Sequence, residues 1–66
     1  MMYEDSRGWK YQVMQGLGHD RYKARYNKPG ARGWHCVRVL PWRDSPEVAE
    51  KDLAEYAGKK RMREVQ

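Results

Sequence analysis

Apolar and polar residues alternate along three stretches of the chain, and then the period changes once. Trp9, Tyr11 and Val13 interleave with Lys10 and Gln12. Strict alternation predicts a half-buried strand, because successive side chains of an extended chain point to opposite faces. Gly16-Leu17-Gly18-His19-Asp20 then supplies turn chemistry, since glycine reaches positive φ at no steric cost. Alternation resumes more cleanly in the second run. There Arg21, Lys23 and Arg25 fall on one face, and Tyr22, Ala24 and Tyr26 on the other. The loop of residues 27–33 carries Pro29-Gly30, a strong turn signal. The third run, residues 34–40, is rich in β-branched and aromatic residues and is expected to be a strand. If His35, Val37 and Val39 face the core there, then Trp34, Cys36 and Arg38 face away.

Pro41 ends this ladder because it has no N–H to donate. Beyond it the spacing becomes helical. Ser45 is a preferred N-cap, Pro46 suits the first helical position, and Glu47 lies in the first turn. Val48, Ala49, Leu53, Tyr56 and Ala57 make a narrow apolar stripe, with Glu47, Glu50, Lys51 and Glu55 mainly on the other side. Gly58 is near the expected C-cap, and Lys59, Lys60 and Arg61 suit the negative end of the helix dipole. The expected fold is α+β in the order β-β-β-α: a three-stranded antiparallel meander covered on one face by one helix. Residues 1–8 read as a polar lead-in, 9–62 as a single domain and 63–66 as a tail. The expected core packs Val13, Tyr22, Ala24, Tyr26, Val37 and Val39 against the helical stripe. Trp42 is expected at the sheet–helix junction.

Length sharpens this picture. Sixty-six residues allow one domain with a single thin core, since a chain this short buries only about 60% of the surface it exposes when unfolded. The single cysteine, Cys36, cannot form an internal disulfide. The first five residues have neither the basic start nor the apolar run of a signal peptide, so a reducing cytoplasm is the expected compartment. The longest apolar stretch, Val39-Leu40-Pro41-Trp42, is far too short to span a bilayer. Three Trp and five Tyr with no Phe make a core whose rings carry polar edges, suited to a wet boundary.

Charge changes the picture more. The net charge is +5, but it is unevenly spread. Nine cations and one anion lie between Arg7 and Arg43, whereas five acids and one lysine lie between Asp44 and Gly58. The sheet region is therefore basic and the helix acidic. The helix covers one sheet face, so the other is left open with Arg21, Lys23 and Arg25. Lys10 joins them from the first strand and Arg38 from the third, with Lys28 and Arg32 on the loop. Trp34 borders that loop and is a candidate contact. A basic, uncovered sheet is an electrostatic footprint for a polyanion. A solvated face that needs charge for solubility is the plainer explanation of the same pattern.

Other chemistry is thin. Zinc sites need about four suitably spaced ligands, and His19, His35 and Cys36 do not provide them. Cys36 as a nucleophile has neither an orienting third group nor a pocket. Gly16-Leu17-Gly18 starts like a dinucleotide fingerprint, but Arg21 stands where the third glycine belongs and no helix follows. No cofactor, metal, membrane or small-molecule substrate is expected, nor catalysis.

The run Arg21-Tyr22-Lys23-Ala24-Arg25-Tyr26, the Pro-Gly loop, a strand and then Ser45-Pro46-Glu47-Val48-Ala49-Glu50 opening a helix resemble small three-stranded-sheet-plus-helix DNA-binding domains. These occur at the amino end of phage and transposon tyrosine integrases and in plant ethylene-response factors. The resemblance covers roughly residues 9–60. It implies a sheet that enters the major groove through Arg21, Lys23, Arg25, Trp34 and Arg38, and a free-standing phage or mobile-element protein. Two function classes follow. The first is a nucleic-acid-binding module, with duplex DNA as its expected partner. The second is a phage or mobile-element protein that regulates an acidic host protein.

Overall fold

The computed structural model describes residues 1–16 and 21–65. The α+β expectation holds: one helix packs on an antiparallel sheet. The sheet has five strands, however, not three. They are β1 (Met2–Glu4), β2 (Lys10–Gln15), β3 (Tyr22–Asn27), β4 (His35–Cys36) and β5 (Arg63–Val65), in the spatial order β4-β3-β2-β1-β5. The helix, α1, spans Pro46–Lys59. The two additional strands lie in the stretches read as lead-in and tail. Both are only three residues long, too short for alternation to mark them, and each pairs with the other across the two ends of the chain. The turn expected after Gly16 lies outside the described residues.

A tight turn makes the β1–β2 hairpin. The Gly8 amide donates to the Asp5 carbonyl at 3.0 Å, and the Asp5 amide to the Trp9 carbonyl at 3.0 Å. Gly8 has φ +82°, a left-handed conformation that completes a type I turn with a bulge. The Asp5 carboxylate fastens this turn. Its Oδ1 accepts the Arg7 and Trp9 amides, and its Oδ2 accepts the Arg7 guanidinium and the Tyr11 hydroxyl. These donors hold the carboxyl below the ordinary aspartate range although burial pushes the other way. Burial first, and then the bonded carboxylate, push the Tyr11 hydroxyl up to about 12.

The helix buries Ala49, Leu53 and Ala57, spaced four apart on one stripe. Leu53 packs in one cluster with Tyr11, Ala24 and Val37 of the sheet side, with Tyr3, Val13, Tyr26, Leu40 and Tyr56 partly buried around it. Three expected core residues fall outside: Tyr22 is half-buried beside the core cluster, Val48 is 41% exposed and Val39 is 73% exposed. For Val39 the reason is a break in the third strand. Regular β4 pairing ends at Cys36, and the Val37 amide still donates to the Ala24 carbonyl. Residues 37–40 then turn, Leu40 packs against the core, and Arg43 rejoins the edge by pairing with Tyr22. Five residues, 38–42, thus bulge out opposite Lys23 alone.

The helix starts where expected, with Ser45 at the N-cap, Pro46 at the first position and Glu47 in the first turn, and it ends beyond Gly58. The Ser45 hydroxyl, however, donates to Glu47 Oε2 at 2.6 Å and caps no amide. That bond lowers the Glu47 pKa. At the other end Gly58 stays helical. The Met62 amide reaches the Ala57 carbonyl at 2.9 Å, and the Arg61 amide the Gly58 carbonyl at 3.2 Å. This is a Schellman closure, with Arg61 at φ +56° where glycine is usual. It turns the chain back so that β5 can reach β1.

Candidate nucleic-acid interface

Register decides what the open face carries, because residues directly opposite in an antiparallel pair share a face. Tyr11 pairs with Tyr26 and Val13 with Ala24, so these lie on the helix side. The residues between them form rows across the other face. One row runs Val65, Met2, Gln12, Arg25, Cys36, and the next runs Arg63, Glu4, Lys10, Asn27. A third pairs Met14 with Lys23. Among the described residues the open face therefore presents Lys10, Lys23, Arg25 and Arg63 against one carboxylate, Glu4. The Arg63 guanidinium binds that carboxylate directly. Lys10, Lys23 and Arg25 make no ion pair among the described residues. The Arg25 Nε is buried without a hydrogen-bond partner there.

The structure thus gathers three of the expected contact residues, Lys10, Lys23 and Arg25, on one face. Arg21 is exposed immediately before β3. Lys28 and Arg32 are exposed on the following loop, but the Lys28 ammonium sits 4.9 Å over the Trp9 ring, at the end of the sheet. Trp34 is half-buried one residue before β4. Arg38 does not belong to the sheet face. It is exposed in the turn of residues 37–40, because the strand that was to present it stops at Cys36.

Trp42 is the residue that pattern reading misplaced. Arg43 pairs with Tyr22 and sends its guanidinium to Asp52 of the helix, with Nε–Oδ2 2.7 Å. The preceding side chain must point the other way, onto the open face. There the Lys23 ammonium lies 5.5 Å over the Trp42 ring. The ring also approaches the Gly16 backbone so closely that a Cβ there would stand 2.9 Å from a ring carbon. The signal was the bulge: without it, the parity of residues 34–43 cannot be counted.

No protein-family model, curated protein or solved structure matches this chain. The site rests on its own geometry. Among the described residues no helix is long and apolar enough to cross a membrane.

Proposed function

We propose that the chain is a nucleic-acid-binding module that acts by binding, and that it lays its open sheet face on duplex DNA. The observation that carries this reading is the set of cations on that face, Lys10, Lys23 and Arg25, with no carboxylate paired to them among the described residues. Arg21 extends the set at the end of β3. The cations stand on the adjacent strands β2 and β3, which lie about 4.8 Å apart and make a two-stranded ribbon within the sheet. The DNA major groove is about 12 Å wide and admits such a ribbon. Lysine suits phosphate as a point charge, while arginine can also fork onto guanine.

The test is a titration of fluorescent random-sequence duplex at two salt concentrations. Each neutralised phosphate adds about −0.9 to the slope of log affinity against log salt. Four contacts give about −3.6, which is about 150-fold weaker binding at 200 mM than at 50 mM salt. Lys23→Ala flattens that slope by about one unit on every sequence. Absence of detectable binding to DNA and RNA at ~50 mM salt, where non-specific contacts are strong, sinks the reading. The same substitutions then belong in a test against an acidic protein partner.

A further inference from the structure

The three tryptophans are held differently. Trp9 is occupied: Tyr26 stacks on it with centroids 5.4 Å apart and planes 17° from parallel, and the Arg7 guanidinium carbon sits 3.6 Å from its centroid. Trp34 is half-buried beside β4. Trp42 is 39% exposed, on the same face as Lys10, Lys23 and Arg25. The exposed part of this ring forgoes burial energy that the core of a small domain would otherwise gain. It is also positioned with some care. The missing Cβ of Gly16 lets the ring lie against backbone, and Lys23, opposite Met14 in the sheet, holds an ammonium over the ring.

A partly exposed ring with a cation beside it is an arrangement that takes an unpaired base. The base stacks on the ring, and the neighbouring ammonium turns to the adjoining phosphate. Bases within an intact duplex are already stacked on one another and offer no free face. We infer that Trp42, with Lys23 beside it, is a base-stacking subsite at one end of the basic face. The preferred ligand is then duplex DNA carrying an unpaired base or a single-stranded tail. This inference rests on the proposed nucleic-acid reading and names the substrate class of the same face.

The experiment compares an intact duplex with the same duplex bearing a short single-stranded thymidine tail, by fluorescence anisotropy at ~50 mM salt, where phosphate contacts are strong. The wild-type protein should bind the tailed duplex about 5- to 160-fold more tightly, the range of one stacked base. Trp42→Ala should abolish that preference, weakening binding to the tailed duplex more than to the intact one, while Trp42→Phe keeps most of it. Gly16→Ala, which pushes the ring off its seat, should also weaken the preference; it carries the test if Trp42→Ala does not fold. Equal binding of both duplexes by the wild type overturns the subsite, and so does an equal loss on both in Trp42→Ala. In each case duplex binding itself stands. Failure of the wild type to bind either DNA overturns the underlying reading together with the subsite.

Discussion

The two faces of this sheet treat charge in opposite ways. Beside the covered face, charged groups come with partners. Asp5 is only 8% exposed and accepts five hydrogen bonds, and Arg43 clasps Asp52 to tie the 38–42 bulge to the helix. On the open face, Lys10, Lys23 and Arg25 have no carboxylate partner among the described residues, and an aromatic ring is exposed beside them. Charge on the first face is part of the fold. On the second face only Arg63 is paired, with Glu4; Lys10 is exposed and Lys23 and Arg25 are half-buried, and ion pairs among such surface groups would add little to the fold. Substitutions on the two faces should therefore separate stability from binding.

The largest effect belongs to Leu53, fully buried where the helix meets the sheet. Leu53→Ala should cost about 2–5 kcal/mol by lost transfer energy and cavity formation. A domain this small has roughly 3–5 kcal/mol in total, so thermal denaturation should find it largely unfolded. An unchanged melting curve would remove Leu53 from the core.

Next comes Asp5. Asp5→Ala leaves the Trp9 amide and the Tyr11 hydroxyl without their acceptor, at about 1–3 kcal/mol. The carboxyl has a lowered pKa in the fold, so it binds protons more weakly there than in the unfolded chain. Its stabilisation is present above the ordinary aspartate pKa and is lost as pH falls through the lower folded value. Denaturant melts from neutral pH into acid should therefore show a decline that Asp5→Asn flattens. Tyr11 acts at the other extreme. Its raised pKa means that stability declines as pH climbs from the ordinary tyrosine value towards about 12.

The helix ends give smaller effects of opposite sign. Arg61→Gly should stabilise by about 1 kcal/mol, because Arg61 holds a left-handed conformation that favours glycine. Ser45→Ala should cost about 0.5 kcal/mol, the low end for an N-cap, since the hydroxyl satisfies no helix amide. Melting midpoints of the two variants should move in opposite directions. A larger loss in Ser45→Ala would mean that the hydroxyl caps an amide after all.

Alternation over residues 9–13 and 21–26 was enough to read β2, β3 and the identity of their faces, because period two survives wherever the ladder is regular. The helical stripe through Ala49, Leu53 and Ala57 was equally legible. What escaped was set by contacts distant in sequence. β1 and β5 are three residues each and exist because they pair with each other and with β2. The 38–42 bulge follows from burying Leu40 and docking Arg43 on Asp52, and it alone removes Arg38 from the sheet face and adds Trp42. Asp5 looked like part of a polar lead-in until Tyr11 and Trp9 folded back to meet it.

The smallest effect on stability is the sharpest test of the comparison. Lys10→Gln and Lys23→Gln remove charge from the open face but keep most of each side-chain stem. Neither lysine makes a hydrogen bond or ion pair among the described residues. Surface substitutions of this kind shift stability by no more than about 0.5 kcal/mol. Like-charge relief around Arg25 works in the stabilising direction, while loss of the Lys23 contact with the Trp42 ring works against it. Binding should respond quite differently, with the salt slope on duplex DNA flattening by about one unit for each lysine that touches a phosphate. A double variant with an unchanged melting point and a slope flatter by nearly two units would show that the open face bears on binding and not on the fold. If the double variant loses stability as Asp5→Ala does, these lysines belong to the fold, and the division between the two faces fails.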